Sequence, residues 1–233
     1  MIDNASKTAI TSKTKNLSKG STRFAAPFKA RMIEHSVDKY FTTVWLAIAL
    51  GISHVFAGAV VMATAIYSFH RGEFHAAMYS MAYHFFSAEA IMNLSYLNGW
   101  STPMRFKHRK VVHIFLQLCA VCCAVIGTAV ILVSKKLKTV HGITGALTLL
   151  LTILSASSGP FAVTAKNKGN VLIHVVSGIP CFFLSTICLS FGLVTEEFKT
   201  WAGPTVVYIL LAFVIFYSAI IIISSLIKRI QRM

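Results

Sequence analysis

The sequence predicts an all-α, multi-pass membrane protein, a bundle of six transmembrane helices. Three observations point there. Of 233 residues, 56% are hydrophobic and 12% are charged, about half the charged share usual in a soluble domain. The apolar residues gather into six runs of about 20 residues or more, the length needed to cross about 30 Å of hydrocarbon at about 1.5 Å per residue. The basic excess, 22 Lys and Arg against 7 Asp and Glu, lies between those runs rather than inside them. That is how a bilayer sorts charge, and it excludes a nucleic-acid-binding face.

Taken in order, residues 1–40 form a basic tail rich in Ser, Thr and Lys, with no apolar core of signal-peptide type. A cytosolic tail fits them better than a mitochondrial transit peptide. The membrane domain runs over 41–227, with spans at about 41–68, 75–97, 111–133, 141–163, 171–194 and 204–227, and a short tail at 228–233. The connections are short and carry Gly, Pro, Asn or charge, which makes successive helices antiparallel neighbours. No internal repeat stands out in this reading. The five cysteines all lie inside apolar runs, and the C-x-x-C of Cys119 and Cys122 has no second half to complete a zinc site.

Orientation follows from counting Lys and Arg. Residues 1–40 hold eight, the 98–110 loop four, the 164–170 loop two and the C-terminal tail three. The opposite side holds Arg71, Lys135, Lys136, Lys138 and Lys199. Seventeen against five puts both termini in the cytosol.

Nine histidines are many for such a chain, and their depth sorts them. His35, His70 and His108 fall in water-exposed segments. Ionisable residues inside spans are expensive and face the protein interior for a reason. His75 opens span 2 and His141 opens span 4, both from the lumenal side. His113 lies just inside span 3 and His174 just inside span 5, both from the cytosolic side. Two facing pairs at two depths suit two haems, each held by an imidazole on either face, with irons about 20 Å apart. Filling both axial positions favours electron transfer over oxygen chemistry. At about 100° per residue, His84 points away from His75, whereas Glu89 returns to within about 40° of the His75 face. His84 then reads as a packing or hydrogen-bonding residue. His54 reads the same way, with no partner at its depth.

At these residues the sequence resembles the cytochrome b561 family of transmembrane, ascorbate-dependent reductases. The matching pieces are FHAAM with AEA fourteen residues on (His75, Glu89), RKVVHIFLQL (His113, Gln117), VHGITG (His141) and LIHVVSG (His174). They fall in family order across spans 2 to 5. The resemblance implies two haem b groups in the central four helices, His75 with His141 holding the lumenal one and His113 with His174 the cytosolic one. It implies a homodimer in which cytosolic ascorbate donates single electrons, and monodehydroascorbate or ferric iron accepts them across the membrane. Ala76 stands where many members have Pro. VHGITG lacks the S-x-H-S-W form of members with a lumenal ascorbate site, which moves the expected acceptor towards ferric chelates and the likeness towards the short, domain-only members.

An anionic donor needs cations near the cytosolic pair. Arg105, Lys107, Arg109, Lys110, Lys166 and Lys168 flank the spans carrying His113 and His174. Lys110, three residues before His113, is the first choice. The expected location is an endomembrane (endoplasmic reticulum or vesicle), with the plasma membrane as the alternative. Two other readings compete: a quinol-linked membrane cytochrome b subunit, and a small non-haem transporter.

Overall fold

The computed structural model describes residues 37–95, 97–134, 139–164 and 168–230. Residues 1–36 of the basic N-terminal tail, Lys135, Lys136, Lys138, Lys166 and the last three residues lie outside the described residues, and of Lys168 only the backbone is described. The last four residues assigned to the tail, 37–40, already belong to the first helix. Helix α1 runs Val37–Arg71. Next come α2 (Phe74–Tyr79), a π-helical stretch (Ser80–Ser87) and α3 (Ala88–Asn93). A loop with one 3₁₀ turn, Gly99–Ser101, leads to α4 (Phe106–Ser134). Then follow α5 (Val140–Thr164), α6 (Lys168–Leu193), the short α7 (Glu196–Ala202) and α8 (Pro204–Ile230). Among the described residues there is no strand.

Among the described residues five helices are long and apolar enough to cross a membrane: α1, α4, α5, α6 and α8. The sixth expected span is the interrupted segment of α2, the π stretch and α3. It ends at Asn93 rather than residue 97, because Ser95, Asn98 and Ser101 turn the chain with their own polar groups. A helical membrane bundle results.

Local chemistry sets the boundaries. Gly72 and Gly203 hold positive φ of 72° and 82°, a conformation that costs glycine little. Gly72 turns α1 into α2, and Gly203 ends α7 just before Pro204 opens α8. Thr195 caps α7 by accepting from the Phe198 amide, and Glu196 and Glu197 follow in its first turn. This short helix was not foreseen.

Within residues 37–45, the rings of Tyr40 and Phe41 meet edge to face at 5.8 Å. From Leu46 onward, α1 and α8 share the larger core. Leu50, Ala57 and Val60 pack with Leu210, Val214, Tyr217 and Ile221, and Phe56 stacks on Phe213 at 4.0 Å. A smaller core joins Ala82 and Tyr83 to Ala124 and Cys181. Most other large apolar side chains point outward, as a lipid-facing surface requires.

Candidate functional site

Both expected histidine pairs meet. The His75 and His141 rings lie 6.4 Å apart, centroid to centroid, and those of His113 and His174 lie 6.3 Å apart. An imidazole nitrogen binds a transition metal at roughly 2 Å, so two rings gripping one ion from opposite faces have centroids roughly 6 Å apart. The tautomers also fit. His113 donates its Nδ1–H to the Ala90 carbonyl at 2.8 Å, His141 to that of Cys188 at 2.9 Å, and His174 to that of Ser155 at 3.0 Å. Nδ1 of His75 stands 3.3 Å from a Glu73 carboxylate oxygen. A ring that donates from Nδ1 presents the lone pair of Nε2, and such an outer hydrogen bond is what orients a metal-binding histidine. Among the described residues no group of three or more His, Cys, Asp or Glu side chains gathers. A haem asks its protein for two, because the macrocycle supplies the other four nitrogens.

The two histidines on α5 and α6 are held alike. Each opens the pattern H-x3-G-x9-[S/C]-x3-G: His141, Gly145, Ser155, Gly159, then His174, Gly178, Cys188, Gly192. Each histidine bonds the carbonyl at the Ser/Cys position of the other helix. The last glycine of each pattern lies against the other helix's histidine. A Cβ on Gly192 would meet His141 at 3.2 Å, and one on Gly159 would meet His174 at 3.6 Å. So α5 and α6 form an inverted repeat, contrary to the sequence reading. The pattern was legible, but its matches are spread over about five turns among unlike apolar residues.

Between the pairs runs a stripe at intervals of four: His75, Tyr79, Tyr83, Ser87. Tyr79 and Tyr83 stack with centroids 5.9 Å apart. Their hydroxyls bond Thr128 of α4 and Thr152 of α5, each at 2.8 Å, and Ser87 donates to Gln117 at 3.2 Å. Gln117 lies four residues beyond His113 on α4. The wider π turn keeps every fourth residue close to one face, and π segments recur at functional sites.

That same turn overturns the phase argument for Glu89. Ser87 faces α4, so Glu89, two residues on, turns away towards α1. Its carboxylate takes a hydrogen bond from His54 Nδ1 through one oxygen and from the Trp100 indole N–H at 3.2 Å through the other. His54 Nε2 lies 3.0 Å from Asn98 Oδ1. His54 therefore has partners, against expectation, because one comes from the rephased helix and the other from the loop. His84 is fully buried and bonds the Tyr217 hydroxyl at 2.8 Å and the Ser185 carbonyl at 3.4 Å, in keeping with a hydrogen-bonding role.

The basic rim divides. Arg105, Lys107 and Lys110 are exposed, and the Lys110 ammonium sits over the Phe106 ring at 5.1 Å. Arg109 does not belong with them. It is 2% exposed, and its guanidinium donates to the carbonyls of Ser95, Thr102 and Met104 at 2.8, 2.9 and 3.1 Å. It holds the 94–105 loop closed, so an anion arriving from water meets its neighbours instead.

Comparison with known proteins agrees with this arrangement. The family model for eukaryotic cytochrome b561 matches residues 74–200, from α2 into α7. The transmembrane reductase CYB561D2 of Mus musculus is 29% identical over 147 residues, covering 57% of this chain and 63% of that protein. The match thus spans under two thirds of the relative's length. No solved structure matches. With more than half of its length on the family model, this chain belongs to the eukaryotic cytochrome b561 family.

Proposed function

We propose that this protein carries electrons across a membrane between two b-type haems, from cytosolic ascorbate to a ferric chelate or monodehydroascorbate on the lumenal side. The observation that carries the reading is the pairing of four imidazoles at two levels, three of them with Nδ1 donated to a backbone carbonyl. A haem held between His75 and His141, or between His113 and His174, would supply one-electron chemistry there. The chain's own residues do the rest. The α5–α6 repeat fixes His141 and His174, Ala90 fixes His113, and Glu73 lies against His75. Arg105, Lys107 and Lys110 offer an anion exposed charge at the start of α4. Cations there oppose the helix dipole, so helix stability does not explain them. Lys166 and Lys168 join them in the proposal from sequence alone, as do cytosolic termini, an endomembrane location and a homodimer.

The test is an absorption spectrum of the purified protein, titrated first with ascorbate and then with a ferric chelate. A b-type spectrum reduced by ascorbate and reoxidised by the chelate is expected, and replacing His113 and His174 together with Ala should remove one of two haems. Protein purified without haem would overturn the proposal. Reduction by a quinol and not by ascorbate would replace the donor.

A further inference from the structure

We propose that His54, Glu89 and Asn98 form a proton-holding site that serves the His113–His174 level, which goes beyond the function proposed above and rests on it. Both ring nitrogens of His54 face acceptors: Nδ1 the Glu89 carboxylate, Nε2 the carbonyl oxygen of Asn98. An imidazole satisfies two acceptors only with a proton on each nitrogen, so this arrangement stores a proton. When the proton leaves Nε2, a half-turn of the Asn98 amide presents its NH₂ to the bare nitrogen, and both states are bonded. In the present orientation Asn98 Nδ2 is fully buried and, among the described residues, has no partner, so of those residues it is His54 that the amide serves.

Position gives the site its role. Glu89 is followed by Ala90, whose carbonyl accepts from His113, so one peptide unit separates the proton site from the contact that orients the proposed haem ligand. Trp100, 43% exposed, donates to the second Glu89 oxygen and opens the cluster towards the loop surface. The ionisable groups around His54 are few. Among the described residues Glu89, from α3, is the one bonded to it, and the loop adds the uncharged side chains of Asn98 and Trp100. Arg109 of α4 reaches that loop with its guanidinium engaged on backbone carbonyls, while α8 presents Phe213 and Phe216 to Phe56, two residues on. A carboxylate and an imidazole inside a membrane bundle are costly to keep without a use. An ascorbate monoanion that gives up one electron must also shed one proton to leave as the radical anion. Starting from the state in which Nε2 is bare and faces the Asn98 NH₂, the electron goes to the His113–His174 level and the proton to Nε2 of His54. This gives the doubly protonated arrangement seen here and matches the charge at the two places.

Redox potentiometry of the full-length, haem-loaded protein across a pH series tests this. The wild-type midpoint at the His113–His174 level should fall with rising pH at the slope of one proton per electron. H54Q and E89Q should flatten that slope while leaving the reduced spectrum unchanged. N98D, which holds the ring doubly protonated, should flatten it as well. A merely structural brace would lower stability and leave the slope intact, and an unchanged slope in all three variants, or a wild type without a slope, would overturn the inference. Reduced-minus-oxidised infrared spectra give a second reading, in which an imidazole or carboxyl band should vanish in H54Q and E89Q. Wild-type protein without haem would overturn the function proposed above and this inference with it. Loaded protein with unaltered slopes overturns this one alone.

Discussion

Two glycines in the same motif leave their histidines different clearances. A Cβ on Gly159 would meet His174 at an ordinary 3.6 Å, whereas one on Gly192 would press His141 at 3.2 Å. Alanine is favoured over glycine in a helix by about 1 kcal/mol, so Gly159→Ala should hold or raise thermal stability. Gly192→Ala should lose that gain and lower haem content at the His75–His141 level. Thermal unfolding and haem-to-protein ratio of the two variants check the contrast. Arg109 gives a second residue-scale expectation. Lysine keeps the charge but not the planar fork, so Arg109→Lys should cost about 2–4 kcal/mol through lost loop hydrogen bonds, against almost nothing for Lys107→Gln. The partners of His75, His113, His141 and His174 were legible from depth alone. Arg109 was not singled out from RFKHRK, though it lies four residues before His113 and so shares its inward face.

At the scale of the element, the π stretch decides where chemistry points. Inserting one alanine between Phe86 and Ser87 would rotate everything after it by about 100°. Ser87 would then leave Gln117, and Glu89 would leave His54 and Trp100. At about 1 kcal/mol for each hydrogen bond, the insertion should lower stability by about 3 kcal/mol, read as an earlier thermal transition in detergent. A conservative swap such as Met81→Leu should leave the transition in place. Sequence reasoning went wrong on Glu89 because it assumed one period through the whole span. A π turn arises from how neighbouring helices pack, here through Tyr79, Tyr83 and Gly127, and no local propensity marks it.

For the whole molecule, the helical membrane bundle followed from hydropathy and charge, since run length and Lys/Arg asymmetry are set by the bilayer rather than by packing. The number of crossings depends on the segment 74–93, twenty residues in three pieces. If it spans, the termini share a side. Epitope tags at both ends should then become accessible together when only the plasma membrane of whole cells is permeabilised. Tags exposed on opposite sides would mean five crossings.

The inverted repeat of α5 and α6 has a consequence for direction. Under the proposed function, a wall that grips its two histidines by the same rule, read from opposite ends, would be a conductor with interchangeable terminals. Nothing in it rectifies. Under that proposal, any difference between the two ends in substrate binding or rate comes from the parts that break the likeness: Glu73 beside His75 at one level, and at the other the loop that Arg109 keeps shut. With those parts made equivalent, the two ends of the proposed conductor would serve donor and acceptor alike, and only the substrates' potentials would tell them apart.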